Sequence, residues 1–437
     1  MSARMSALRA LTACRVNGAW ADAALAAELK RENLSAADAA LASRIVYGVL
    51  QNRMLIDYYL SAYCAQRLDH LQQPLPDILR TGAYQILFLD KVPPSAAVNE
   101  SVELAKASRR GAAAGLVNAV LRRLSQNRNR LPALPEDAVE RLSLETSHPK
   151  WLTERMLSLL GAADAEAFLR LNNAVTPIAA QINPLKVTAE SLLRELAGAG
   201  VEASMHPWVP DCLELSGVGD LATLPAFYRG EMTVQDAAAR LVSLVAGVRP
   251  GARVLDVCAA PGGKAFSAAF AMRDEGEIIA CDLHESKLRR IRGGAARLGL
   301  GCIRTRAADG RAYRAEWAEA FDAVLCDVPC SGLGVIRKKP DIRYKEPAAL
   351  AGLPDVQRAI LGNSARYVRP GGVLVYSTCT VLPEENERVT DGFLNENPSF
   401  SYESFDLPIG SAPGRITLWP QTHGTDGFYI SKLRRKA

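Results

Sequence analysis

The 437-residue chain contains no apolar run approaching the ~18 residues that a membrane-spanning helix needs, so no membrane span is expected. Its nine cysteines show no disulfide spacing. They are odd in number, scattered, and mostly set inside apolar runs such as IIACDL around Cys281 and AVLCDV around Cys326. This is the thiol usage of a reducing compartment. The first residues, MSARMSALRALTACRVNG, are interrupted by arginines and lack the apolar centre of a signal peptide, so a cytoplasmic location is expected. There is no internal repeat and no low-complexity tract. Metal binding is not expected either: Cys326 and Cys330 are four apart, but no second pair or nearby histidine completes a set of four ligands. The chain also lacks a GxGxxG loop and the lysine–serine pair of a Walker loop, which disfavours NAD and ATP. Net charge is only +5, so any affinity for a polyanion must come from how the charge is distributed.

What is present divides the chain into regions. Its length exceeds one hydrophobic core, and two to three domains are expected. Residues 1–130 read as all-helical: Leu41, Ile45 and Val49 recur at helical spacing, as do Leu79, Ala83 and Leu87. Ser35 followed by Asp38 marks a helix start. Lys106 to Arg130 carries seven basic residues and no acid (Lys106, Arg109, Arg110, Arg122, Arg123, Arg128, Arg130). Such a cluster is either a solvated helix face or a track of phosphate contacts. A linker is expected over 131–145, where RNRLPALPED supplies two prolines and no periodicity. A small α+β subdomain is expected over 146–228, with strands at Ile178–Lys186 and Cys212–Gly217 and a helix at Ser191–Val201. From 229 to 437, apolar runs alternate with helical patterns, with strands expected at 252–258, 277–282, 302–306, 321–327 and 372–378. Strands apolar on both faces belong to a parallel, doubly wound α/β sheet of Rossmann type. RITLWP and GFYISKL read as a closing hairpin.

The chemistry sits at the strand ends of this last region. In DVCAAPGGK, a strand runs into a glycine turn and Lys264 opens a helix; such a turn admits a ligand to the backbone and offers an anion the free N–H groups of a helix start. Asp282, at the end of the next strand, is where an acidic residue reaches a ribose hydroxyl. Asp309, in RAADGR, is placed to hold the same nucleoside; for both residues the alternative is strand-end capping. Cys326 lies inside a strand and reads as core. Cys330 and Cys379 fall just past strand ends, where open α/β sheets bind ligands, and are candidate nucleophiles. Thiols suit the methylation of carbon 5 of a pyrimidine. A thiolate adding to carbon 6 makes carbon 5 nucleophilic; a base then removes the carbon 5 proton and the thiol leaves. Asp327, beside Cys330, is placed to hydrogen-bond the ring. Five basic residues in RKKPDIRYK, Arg337 to Lys345, either hold phosphates near a flipped nucleotide or line an exposed loop.

These residues resemble the RNA 5-methylcytosine methyltransferases that use S-adenosylmethionine. The family signatures stand here as DVCAAPGGK, DVPCSGLG (Asp327 to Gly334) and YSTCTVLPEEN (Tyr376 to Asn386), three separated motifs in order. VQDAAARL and GTDGFYISKL also look like family segments. The N-terminal stretches IVYGVLQNRMLIDYYL, ILRTGAYQILFLDKVPPSAAVNESVELAK and GLVNAVLRR resemble the NusB-like RNA-binding domain, and with SHPKWLTER the likeness to the bacterial RsmB (Sun/Fmu) family covers nearly the whole chain. The resemblance implies that Cys379 is the nucleophile and that Cys330 assists product release. It implies that Cys258, Ala259, Ala260, Pro261, Gly262, Gly263 and Lys264, with Asp282, Asp309 and Asp327, hold S-adenosyl-L-methionine. Small-subunit (16S) ribosomal RNA is the implied partner of a protein expected to be a monomer. One departure is Gln181-Ile182-Asn183, where the family has Arg-x-Asn. The competing readings are a transfer RNA or DNA cytosine methyltransferase and a non-catalytic NusB-like RNA-binding factor. The two thiols argue against a binding factor.

Overall fold

The computed structural model describes residues 3–219 and 221–437, which form two compact units. The first holds the chain up to residue 174 together with 336–345; the second holds 175–335 and 346–437. Among the described residues, no helix is long and apolar enough to cross a membrane.

The first unit is helical. Six helices run from Ala3–Asn17 to Ala114–Gln126, followed by Ala138–Thr146, Lys150–Leu160 and Ala162–Leu171. The helix Ala36–Ser61 starts where the sequence marks it, with the Ser35 hydroxyl accepting the Asp38 N–H at 3.2 Å. Ile45, Val49, Leu79 and Ala83 are buried in one core with Val117 and Leu121. The segment expected to link domains over 131–145 is irregular only as far as Asp137, which caps the helix Ala138–Thr146. Its prolines are visible in the sequence, but a helix of nine residues gives too short a period to read beside them. That helix and the two after it belong to the first unit.

The second unit contains two main sheets. In the smaller, β1 (Ile178–Ile182), β2 (Glu202–Met205), β3 (Cys212–Ser216) and β4 (Met232–Val234) pair antiparallel in the order β2-β3-β1-β4. The helix Ala189–Gly198 packs Leu192 and Leu196 against Ala180, Ile182, Leu213 and Leu215. The larger sheet is built on β5 (Arg253–Asp256), β6 (Glu277–Asp282), β7 (Ile303–Ala307), β8 (Phe321–Asp327) and β9 (Val368–Thr378). These five are parallel, in the order β9-β8-β5-β6-β7. β10 (Phe400–Tyr402) lies at the far edge, while β11 (Phe405–Leu407) and β12 (Gly410–Ala412) form a separate ribbon. The hairpin of β13 (Arg415–Leu418) and β14 (Phe428–Arg435) closes the sheet antiparallel to β9. β9 begins four residues before the expected start because Pro370-Gly371-Gly372, which reads as a turn, lies inside the strand. The order steps outward from β5 in both directions, so all five parallel carboxyl ends open on one edge.

Between β8 and β9 the chain leaves the second unit, and residues 336–345 pack inside the first. This corrects the reading of RKKPDIRYK at one of its five cations, Arg343, which faces neither phosphate nor solvent. Arg343 is fully buried. Its guanidinium donates to the carbonyls of Thr146 (3.1 Å) and Asn172 (3.1 Å), to Asn173 Oδ1 (2.7 Å) and to Gln51 O (3.3 Å). Burial lowers its pKa to about 10. The Tyr344 hydroxyl donates to Leu50 O at 2.6 Å, and the Arg53 guanidinium lies 3.4 Å from the Tyr344 ring centroid. Lys339 pairs with Asp22 at 3.6 Å. A charged side chain that satisfies several buried oxygens leaves them all stranded when removed. Arg343→Met is therefore expected to destabilise the helical unit by about 2–4 kcal/mol, read as a lower urea midpoint of helix unfolding; an unchanged midpoint would mean that these contacts carry no weight.

Candidate active site

The loop after β5 turns sharply into the helix Gly263–Ala271. Gly262 has φ +117°, and a Cβ there would lie 2.4 Å from the Phe266 ring, so both conformation and space demand glycine. Cys258 is largely enclosed, and burial pushes its thiol well above the ordinary range. The Ala259 N–H donates to Cys281 O at 2.7 Å, tying the loop to β6. Asp282 ends β6; its Oδ1 accepts the His284 N–H at 2.9 Å and lies 3.5 Å from Lys287 Nζ. Asp309, after β7, accepts the backbone N–H (2.9 Å) and guanidinium of Arg311. Those hydrogen bonds hold its carboxyl below the usual range. The parallel order β5-β6-β7 thus brings Cys258 to Lys264, Asp282 and Asp309 to one edge of the sheet.

The two thiols reach the same edge from β8 and β9. These strands pair in parallel with Asp327 opposite Ser377, and the Val328 N–H donates to Ser377 O at 3.1 Å. Pro329-Cys330 and Cys379 therefore emerge side by side, and their Sγ atoms lie 3.2 Å apart. Both residues are partly accessible, whereas Cys326 is buried in the core. The hydrogen bond to Cys379 raises the Cys330 thiol well above its ordinary range, reinforced by burial and then by Glu385 and Asp327. Asp327 is gripped from both sides. Lys264 Nζ contacts its Oδ2 at 2.6 Å, and Ser377 Oγ donates to its Oδ1 at 2.8 Å. Burial opposes the Lys264 charge, but Asp327 outweighs it and raises the lysine above its usual range. The loop beyond Cys330 passes very close to the one before β14: a Cβ on Gly334 would lie 1.9 Å from Gly427 O.

Four groups were not singled out from the sequence. Asp256, the last residue of β5, is fully buried with neither carboxylate oxygen hydrogen-bonded. Its signal was a carboxylate ending the otherwise apolar strand VLD. Glu385 and Gln357 are buried beside the Cys330 loop, and Asn386 beside Cys379. Glu385 and Asn386 close the YSTCTVLPEEN signature, but nothing in spacing assigns them a role, and Gln357 reads as an ordinary position of the helix Leu353–Ala365. Gln181, at the position of the family arginine, is buried in β1 and accepts a hydrogen bond from Ser267, so it offers RNA no exposed contact. Asn183 donates to Gly230 O (2.9 Å) and Leu298 O (3.0 Å), a structural role.

Comparison with known proteins matches the larger sheet and the units around it to known families. Residues 244–434 fit the model of the 16S rRNA methyltransferase RsmB/F, residues 1–126 that of the NusB family, and residues 148–222 that of a ferredoxin-like domain of RsmF/B-like methyltransferases. The probable ribosomal RNA small subunit methyltransferase B of Bacillus subtilis is 36% identical, covering 100% of this chain and 99% of its own. The chain belongs to the RsmB/F methyltransferase family. Ribosomal RNA small subunit methyltransferase B of Klebsiella pneumoniae is 32% identical over 93% of this chain and 92% of its own. The crystal structure of PH0851 superposes with a TM-score of 0.84 at 27% identity, covering 99% of both chains. NSun6 from Pyrococcus horikoshii with SFG shares the fold over 66% of this chain and 98% of its own, at a TM-score of 0.59 and 23% identity. The RsmB/F assignment thus takes in both units.

Asp256 gives this family member a titration to look for. Burial raises its pKa to about 7, above the roughly 3.9 of an unfolded aspartate. The native state therefore prefers the protonated form. That preference is fully felt below about pH 4 and is lost as pH rises through about 7. The melting temperature of the protein relative to Asp256→Asn is expected to fall between about pH 4 and about pH 7 and to level off above that; parallel profiles in a thermal-shift series would show that Asp256 does not titrate there.

Proposed function

We propose that this RsmB/F family member is an S-adenosylmethionine-dependent methyltransferase of carbon 5 of a cytosine in small-subunit ribosomal RNA. In this reading Cys379 is the nucleophile, Cys330 assists release, and Asp327 steadies the ring. The observation that carries it is the 3.2 Å approach of two sulfurs beside the Lys264–Asp327 ion pair. A binding module has no use for that arrangement, and a single-thiol enzyme would not need it.

The loop suits an adenosine-bearing cofactor. Gly262 keeps the backbone open, Asp282 stands at the end of β6 with its Oδ1 on the His284 N–H, and Asp256 is a buried carboxyl beneath the loop. Cys258, Ala259, Ala260, Pro261, Gly262, Gly263 and Lys264, with Asp282, Asp309 and Asp327, would hold it. S-adenosylmethionine supplies the methyl group. Cys379 Sγ adds to carbon 6 of the cytosine, which turns carbon 5 into a nucleophile. Asp327, oriented by Ser377 and Lys264, meets the ring nitrogen or amino group as charge shifts onto it. Once carbon 5 is methylated, the Cys330 thiolate takes its proton. The C5–H electron pair then forms the C5=C6 bond, and the C6–Sγ bond breaks to return Cys379 as a thiolate. A thiol held above its ordinary range is, once ionised, a stronger base than an ordinary thiolate.

Ribosomal RNA as substrate is supported by the names of the full-length relatives and by exposed cations on the helical unit. Arg122 and Arg123 face outward from the helix Ala114–Gln126, whose other face buries Val117, Val120, Leu121 and Leu124. Arg109, Arg128 and Arg130 are exposed as well, whereas Lys106 pairs with Glu103.

With small-subunit RNA and S-adenosylmethionine, Cys379→Ala is expected to abolish methylation and form no adduct. Cys330→Ala should accumulate a covalent protein–RNA species on denaturing gels. An adduct in the first variant and none in the second would reverse the assignment, and absence of 5-methylcytosine from the wild-type product would overturn the reaction. Asp282→Ala should weaken S-adenosylmethionine binding by about one to two orders of magnitude, as expected for lost charge-assisted hydrogen bonds. Unchanged affinity by calorimetry would remove Asp282 from the site.

A further inference from the structure

The groups that hold the two thiol loops converge on one dipeptide. Around Cys330, the Ser331 N–H donates to Glu385 Oε2 at 2.9 Å. Gln357 Nε2 donates both to Glu385 Oε2 (2.7 Å) and to Pro329 O (3.0 Å). The residues before and after the thiol are thus held by one buried amide–carboxylate pair. Around Cys379, Thr378 Oγ1 donates to Asn386 Oδ1 at 2.6 Å, and Asn386 Nδ2 donates to Thr380 O at 3.1 Å. The residues before and after the second thiol are held by the next side chain along the chain. Ser331 and Thr380 hydroxyls, 2.6 Å apart, join the two loops directly. Glu385, Asn386 and Gln357 are all buried. Glu385 Oε1 has no hydrogen-bond partner, so the carboxylate is not consumed by the clamp.

We propose that Glu385 and Asn386 are the positioning residues of the two thiols: Glu385, with Gln357, holds the Cys330 loop and keeps its own charge close to it, and Asn386 holds the Cys379 loop. This rests on the reaction proposed above. Because the two side chains are adjacent in sequence, the separation of the loops follows from one short piece of backbone. The groups facing Cys330 are the Cys379 thiol at the end of β9, Asp327 with its partner Lys264 at the end of β8, Tyr376 within β9, and Glu385. Glu385 and Asp327 disfavour a thiolate at Cys330. A base that must take a proton from carbon gains strength from such surroundings, at the expense of being ionised less often near neutral pH.

Two measurements test this. The first needs no RNA: the pH dependence of Cys330 alkylation by iodoacetamide in a Cys379→Ser background, with and without Glu385→Gln. The amide still offers an acceptor to Ser331 but carries no charge. The midpoint should move to lower pH, with each unit worth about tenfold more thiolate at a fixed pH below it; an unmoved midpoint would overturn the electrostatic role. The second follows adduct formation and decay with RNA. Glu385→Ala should slow decay by about ten- to a hundredfold, as misplacement of a reacting group does, and so accumulate adduct. Asn386→Ala should slow formation without accumulation. Glu385→Gln should restore decay relative to Glu385→Ala, with its pH profile moved to lower pH as the alkylation midpoint is, a rescue that loss of folding could not give. Equal effects of both alanine variants on both steps would reduce the dipeptide to a fold element and overturn the proposal. If wild type makes no 5-methylcytosine and Cys330→Ala no adduct, the reaction assignment fails, and the alkylation midpoint still decides the tuning.

Discussion

The parallel register of β8 and β9 is the constraint on which the site depends. With Asp327 opposite Ser377, the strands end level, and the residues that follow have little choice about where to go. A slip of one residue would turn Asp327 to the other face of the sheet, away from Lys264, and would separate the sulfurs. The register is locked by loop contacts as well as by the ladder. The Gly334 N–H donates to Cys379 O at 3.0 Å, and the Gly427 N–H to Gly334 O at 2.8 Å. The second contact brings two backbones to a distance that a side chain at Gly334 would forbid.

The buried charges of this protein fall into two kinds. Arg343 is surrounded by oxygens that accept from both terminal nitrogens, and only its Nε is left without an acceptor, so its role ends with the fold. At the strand ends the compensation is partial. Lys264 and Asp327 satisfy each other, while burial of Asp256 is offset only in part by Lys264 and the Cys258 N–H, and Glu385 has one oxygen idle. Incomplete pairing at the mouth of an open sheet is what a site waiting for charged or polar ligands requires. The same argument separates the two arginine-rich stretches: exposed Arg122 and Arg123 have solvent before them, and Arg343 does not.

The fold was legible where period and punctuation agree. Phe321–Asp327 appears as expected to the residue, because a run apolar on both faces ends at a carboxylate and a proline. Ser35 announced its helix through its own hydroxyl. The thiols were legible because they break apolar runs at points where strands stop. Asp256 could have been noticed on the same ground, as a charge ending the strand VLD. Glu385, Asn386 and Gln357 could not, since their meaning lies in contacts with residues 6 to 54 positions away. In RKKPDIRYK, Arg343 was misread for a physical reason. A cluster of cations in a glycine- and proline-flanked loop looks solvated, and only the convergence of distant carbonyls shows that one of them is enclosed.

The excursion of residues 336–345 gives the chain an unusual anatomy. A protein whose units were strung end to end could be cut between them and leave two self-contained halves. Here a cut near residue 174 leaves the catalytic half carrying ten residues that belong to the other body, among them Ile342 and Arg343, both buried in the intact chain. That orphaned segment starts six positions after Cys330. Gene fusion or fission at this boundary would therefore have to refit the segment rather than only join or separate a pair of domains.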